Sequence, residues 1–383
     1  MNHLILLAGI VGAVATLAHF ISIAAVIGRF RASPMVEAEP ASVPVSILRP
    51  VCGLENYIEE TLRSSFLLDH PDYEVIFCAA DADDPVLPLV RALMAEYPHV
   101  ESKLLIGNST VSRNPKLNNL VKGWHAARHP WVMMIDSNVA MPKDHVRRML
   151  AAWRKDTGLV CSPPVGSEPA DAGAELECGF LNTYQARWQL LADGIGFGFA
   201  QGKSMLWRRD ILDNAGGIEA LANEIAEDAA ATKIVRARGL RVRLVRAPFV
   251  QPLGARALAD VWRRQVRWAR LRRETFRLYF VPELLVGAVP PLAAAALVAG
   301  SMGFPIAPVL IALATTWYGA EAALASAAGW QLSWRSVPLW MLRDALLPLL
   351  WCAAWAGNDF EWRGNAMSVA VDVFGQQELT AEP

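Results

Sequence analysis

The sequence is poor in cysteine, having five, an odd number with no Cys-x-x-Cys pair. Neither a disulfide framework nor a zinc site fits that pattern, and scattered thiols suit a reduced compartment. It has almost no net charge, −1 at pH 7, which argues against nucleic acid as a partner. It has no glycine-rich phosphate loop, neither G-x-G-x-x-G nor the P-loop pattern. A nucleotide held here would depend on side chains and a metal ion for its phosphates. Charge of either sign is scarce, at 19% of residues, and mean hydropathy is +0.25. That average is too apolar for an ordinary soluble enzyme, yet it leaves enough charge for one aqueous domain.

What is present is long apolar sequence at both ends. Leu4 to Ile27 is almost unbroken, with His19 as its one awkward residue. It is long enough to cross a bilayer. It is too long for a signal-peptide core and has no basic leader, so we expect a retained anchor over 1–30. Arg29 and Arg31 follow, and the positive-inside rule places that end in the cytoplasm. Beyond Val281 three further apolar segments, Leu284–Ala299, Ile306–Ala327 and Pro338–Ala356, make 281–357 membrane-like. Arg343 and Asp344 lie inside the third. Charges at that depth are expensive and pair within protein, so this segment either spans or re-enters. The tail, 358–383, is polar again.

Between them, 40–256 alternates strands with helices. Val45–Leu48, Tyr73–Ala80, Ser102–Ile106, Trp131–Ile135 and Leu159–Val165 read as strands, and Asn56–Leu67, Val86–Tyr97 and Asn118–Ala127 as helices. That order predicts an α/β domain with a doubly wound, mostly parallel sheet. Lys203–Trp207 reads as a further strand, Arg209–Asn214 as a short helix, and 225–238 as a longer one. Gln189–Gly202, punctuated by glycine, is either a packed loop or a mouth facing the membrane. Leu258–Phe280 mixes tryptophan and seven arginines, and residues 257–280 predict a basic helix in the membrane interface.

Acids stand where the units end: Asp81 in Asp81-Ala-Asp83-Asp-Pro, Asp136 in Asp136-Ser-Asn138, and Asp228 in Ile225-Ala-Glu-Asp228. Each is also an ordinary turn or helix-start residue. The carboxyl edge of a parallel sheet is where such folds bind ligands. Asp136 and Asn138 offer two hard oxygens to one divalent cation, Mg2+ or Mn2+. Together the acids meet the needs of sugar transfer from a nucleoside diphosphate. One accepts from the base, one holds the metal and diphosphate, and one deprotonates the acceptor hydroxyl.

In this order the chain resembles the GT-A glycosyltransferases with the D, D, D, (Q/R)xxRW pattern, and more closely the ceramide glucosyltransferases. The matching pieces are DADDP (81–85), NPKLNN (114–119), IDSN (135–138), IAED (225–228), RQVRW (264–268) and WRG (362–364). The resemblance implies an inverting transfer from a UDP-sugar, glucose above all, to the hydroxyl of a ceramide-like membrane lipid. It assigns the general base to Asp228. Donor binding falls to Pro50, Asp81, Asp83, Lys116 and Asp136, and the cation to Asp136 and Asn138. Arg264, Arg267 and Trp268 take the diphosphate and acceptor end. Two departures stand out: Asn138 where many relatives have an aspartate, and Gln185 where the animal enzymes have a histidine. A hopanoid-associated transferase has the same acids, and a membrane protein that only binds nucleotide-sugar is the non-enzymatic alternative. Too few membrane segments argue against a processive polysaccharide synthase.

Overall fold

The structure, a computed structural model, describes residues 3–32, 43–362 and 365–369. Arg363 and Gly364 of the WRG motif lie outside the described residues. The chain opens with α1 (His3–Arg31), then β1 (Val45–Val51), α2 (Ile58–Arg63), β2 (Tyr73–Ala79), α3 (Leu87–Glu96) and β3 (Glu101–Ile106). It continues through α4 (Pro115–Ala126), β4 (Trp131–Ile135), α5 (His145–Ala151), β5 (Thr157–Ser162) and β6 (Val165–Pro169). Then come α6 (Ala172–Gly179), a π-helical turn (Phe180–Ala186), α7 (Arg187–Gly194), β7 (Ser204–Arg208), α8 (Arg209–Asp213) and α9 (Glu227–Ala237). Next are β8 (Arg241–Leu244), β9 (Val250–Gly254), α10 (Leu258–Thr275) and α11 (Arg277–Phe280). Then come α12 (Val289–Ser301), α13 (Ile306–Ala328), α14 (Ser336–Trp355) and the antiparallel pair β10 (Asp359–Trp362) and β11 (Asn365–Ser368).

Seven strands form the central sheet in the order β3-β2-β1-β4-β7-β5-β8. Strands β3, β2, β1 and β4 run parallel, as the alternation of strands and helices predicts. Strand β7 lies antiparallel between β4 and β5. The sheet is therefore mostly parallel. Val132 to Ile135 are fully buried, as a strand covered on both faces requires.

Several boundaries differ from the sequence expectation. Strand β1 runs through Pro50, which pairs in register with Cys78. Pairing with β4 ends at Leu48, so proline's missing N–H leaves no broken bond there. Helix α4 begins at Pro115, because the Asn114 side chain caps the N–H groups of Lys116 and Leu117. The expected strand over Leu159–Val165 is split at Pro163-Pro164 between β5 and β6, which lie in different sheets. Gln189–Gly194 is the end of a helix rather than a loop, and the loop itself begins at Ile195.

Helices α1, α13 and α14 are long and apolar enough to cross a membrane, and α12 joins them if Arg277–Leu285 and Val289–Ser301, bent by 46°, count as one span. Gly287, at φ +97°, makes that break. Glycines on α1 let its neighbour approach closely: a Cβ on Gly12 would stand 2.5 Å from Ala294 of α12. His19 finds its place by stacking on Trp317 of α13 at 3.5 Å and bonding Arg187 of α7 at 2.8 Å. Arg343 pairs with Glu321 of α13 at 2.9 Å and with Asp344, and donates to Thr183 at 2.7 Å. The charges inside the third C-terminal segment thus face protein, as their cost in lipid demands.

Candidate active site

The carboxyl edge of the sheet brings four of the candidate residues, Lys116, Asp136, Asn138 and Asp228, into one place. Strand β4 ends at Ile135, and Asp136 leaves it into a turn. The guanidinium of Arg49, fully buried beneath, donates to Ser137 O at 3.1 Å, Val139 O at 3.3 Å and Thr61 O at 2.8 Å. Arg49 therefore shapes the Asp-Ser-Asn turn. Burial lowers its guanidinium to about 9 against the attraction of Asp136.

Asp136 is held by two ammonium groups. Lys116 Nζ lies 2.6 Å from its Oδ1 and Lys203 Nζ 3.0 Å from its Oδ2. Burial would raise this carboxyl, but the two lysines outweigh it and keep it well below the usual range. Lys203 Nζ also lies 3.1 Å from Asn138 Oδ1. An oxygen of Asp136 and one of Asn138 thus converge on a single cationic position, with the ammonium standing in there. That is the donor set a hard divalent ion uses when phosphate and water complete its shell. Among the described residues no group of three or more His, Cys, Asp or Glu could hold a metal. Asp136 and Asn138 are the residues here that could hold such an ion.

Lys116 ties this edge to α9. Its ammonium lies 2.7 Å from Glu227 Oε1 and donates to Gly202 O at 2.6 Å. Burial would lower Lys116, yet Asp136 and Glu227 raise it above its ordinary value. Glu227 also accepts from Asn114 Nδ2 at 2.7 Å, so the cap of α4 doubles as a strut to α9. Gly202 permits the approach: a Cβ there would meet Glu227 Oε1 at 2.7 Å. Its N–H donates to Asp228 Oδ2 at 3.1 Å.

Asp228 is the group with the altered acidity. Burial first, and the Glu227 carboxylate second, raise it to about 7, against Lys116 and two backbone N–H groups. A carboxylate poised there suits proton abstraction near neutral pH. Lys203, Glu227 and Arg49 carry much of this geometry; Glu227 lies within the IAED motif but without an expected role, and Lys203 and Arg49 are not sequence candidates. Lys203 directly precedes β7 and Arg49 lies within β1, neither in a motif, while the role in IAED falls to the acid after Glu227.

The other candidates stand apart from this cluster. Asp81 and Asp83 are exposed on the loop after β2, Asp81 Oδ1 accepting from Asp83 N at 3.0 Å. Asp84 binds that loop to the β1 edge by accepting from Gly53 N at 2.9 Å. Pro50 lies half-buried on β1 at the same edge. On α10, Arg264 pairs with the buried Glu177, Arg267 lies over the Trp362 ring at 5.4 Å, and Trp268 packs on the cluster around Cys178 and Leu253. Arg272 pairs with Glu283 at 2.8 Å and Arg273 donates to Asn358 at 2.6 Å. The arginines that made this stretch look like a free basic face are thus largely engaged within the protein. Gln185, on the π-helical turn, donates to Gln265 of α10 at 2.9 Å.

Residues 10–373 match glycosyl transferase family 21. The chain belongs to that family. The family 21 chain is 28% identical over 340 residues to ceramide glucosyltransferase 3 of Caenorhabditis elegans, covering 87% of this chain and 74% of that one. It is 25% identical to a ceramide glucosyltransferase of Komagataella phaffii, covering 91% and 87%. In fold it is similar to a mannosyltransferase of Pyrobaculum calidifontis solved with GDP-mannose and Mn2+, at TM-score 0.51 and 19% identity over 91% of this chain and 98% of that one. The family 21 chain is a hexosyltransferase of GT-A fold, with apolar helices that suit a membrane.

Proposed function

We propose that the protein transfers a hexose, glucose first among candidates, from a UDP-sugar to the primary hydroxyl of ceramide, with inversion. The observation that carries this reading is the Asp228 carboxyl, raised to about 7 beside the Lys116–Asp136 pair. It supplies a base next to a site for a departing diphosphate. Asp228 takes the acceptor's proton as the oxygen attacks the sugar's anomeric carbon. The bond from that carbon to the diphosphate oxygen breaks, and UDP leaves on the opposite face.

Lys116 and Lys203 stabilise the charge that grows on the leaving diphosphate. Asp136 and Asn138 would hold a divalent cation, Mg2+ or Mn2+, which when bound adds further neutralisation of the phosphates. Pro50, Asp81 and Asp83 line the nucleoside end. Arg264, Arg267 and Trp268 form the acceptor and diphosphate end, Arg264 through its contact with Glu177. The domain faces the cytoplasm in this reading, since Arg29 and Arg31 close α1 on its side. The acceptor reaches the site from the bilayer.

Purified protein in detergent, given ceramide, a panel of UDP-sugars and Mg2+ or Mn2+, tests this by mass spectrometry of the lipids. A hexosylceramide that needs Asp228 is expected. UDP release with a hopanoid or diacylglycerol but not ceramide would move the acceptor. Donor binding without turnover on any lipid would overturn the enzyme reading.

A further inference from the structure

We infer that α14 does not cross the membrane but lies along it, in the leaflet beside the catalytic domain, with an apolar stripe against lipid acyl chains. By length and composition it qualifies as a span: 20 residues make about 30 Å of helix, the thickness of a bilayer core. Its contacts at both ends place it otherwise.

At its start, Ser336 Oγ donates to Glu175 Oε1 at 2.9 Å, and Ser333 Oγ donates to the same oxygen. Glu175 is on α6, whose own start is fastened to the domain. There Asp171 accepts from Arg256 N at 3.0 Å, and Ala170 N donates to Gly254 O at 3.0 Å. At the other end, Arg273 donates to Ala354 O and Arg270 to Ala353 O at 3.3 Å. The chain then forms β10 and β11, and Arg113 donates to Ser368 O at 3.1 Å. Arg113 precedes Asn114, which caps the helix bearing Lys116. Both ends of α14 therefore meet one domain. A crossing helix would leave its second end about 30 Å away, beyond the hydrocarbon.

The middle of α14 rests on the bundle below it. Asp344 accepts from Tyr318 OH of α13 at 3.2 Å and from Ala288 N at the head of α12 at 3.0 Å. From that level α12 runs on beside α1 until Val298 meets Gly9, and α13 returns. The bundle thus reaches well past α14. The face of α14 turned from protein shows Pro338, Met341, Leu342, Ala345, Leu349 and Cys352, all exposed and apolar. Met341 and Leu349 are 50% and 57% exposed. A continuous apolar stripe this long is not left to water. Exposed Trp334 at one end and Tyr279 near the other suit the headgroup level.

Site-directed spin labels in nanodiscs test the depth. Cys52 and Cys352 are the exposed thiols and the other three are buried. Labels at Met341→Cys and Leu349→Cys in a Cys52→Ser, Cys352→Ala background, and at native Cys352 in Cys52→Ser, are read by oxygen against a water-soluble nickel complex. Equal depth, with oxygen favoured, is expected at all three. A gradient of about 12 Å between positions 341 and 349 would show a span and overturn the inference, as would nickel access at all three. Sidedness gives an independent reading. In sealed vesicles an impermeant maleimide should reach Glu361→Cys and the domain's Arg91→Cys from the same side, and opposite sides would also overturn it.

Discussion

Lys203 Nζ stands 3.0 Å from Asp136 Oδ2, on the side of that carboxylate that Asn138 also faces. An ammonium and a divalent ion cannot share that position, so on the proposed cation site Lys203 would turn toward the diphosphate. Lys203→Met is expected to lower the Mg2+ concentration for half-maximal rate while raising donor KM about tenfold, the worth of one charge-assisted hydrogen bond. Rates measured across a Mg2+ and donor grid check both changes.

Asp228→Asn should leave UDP affinity within about twofold and reduce kcat by at least about 100-fold, the usual share of a general base. Wild-type kcat/KM should rise with pH through about 7, where the carboxyl ionises. Isothermal titration of UDP beside initial rates separates binding from chemistry.

The same group links stability to pH. Asp228 binds its proton more tightly when folded than unfolded, so its contribution falls as pH rises from the ordinary carboxylate range through about 7. Asp228→Asn escapes that loss. Its Tm, relative to wild type, is expected to be higher at pH 8 than at pH 4.

Glu227→Gln removes the like charge beside Asp228. The acidic limb of the pH–rate profile should move to lower pH, because the repulsion that helps keep Asp228 protonated is gone. A profile that keeps its position would show that the Glu227 charge does not set the value.

Arg49→Met keeps the bulk but leaves the carbonyls of Thr61, Ser137 and Val139 without their buried donor. A loss of about 3 kcal/mol in denaturant unfolding is expected, together with weaker donor binding, since the Asp136 turn loses its support. Arg49→Lys should recover only part, lacking the fork that reaches several carbonyls at once.

The strand order along the chain, the acids at strand ends and the apolar runs were legible because each is a local pattern. Periodicity is dictated by the backbone's own repeat; Asp81 and Asp136 fall where a strand stops and Asp228 where a helix starts. What sits across from an acid is not local. Lys203 and Asn138 are 65 positions apart, and only the antiparallel seating of β7 beside β4 brings the ammonium over the Asp-Ser-Asn turn. Seven arginines in one stretch looked like a face for lipid headgroups because charge in sequence shows no partners. Folding supplied Glu177, Glu283 and the end of α14. Apolar length likewise marked α14 as a candidate for the membrane. Whether a helix stands across a bilayer or lies along it depends on where its two ends are fastened, and that is decided only by tertiary contacts.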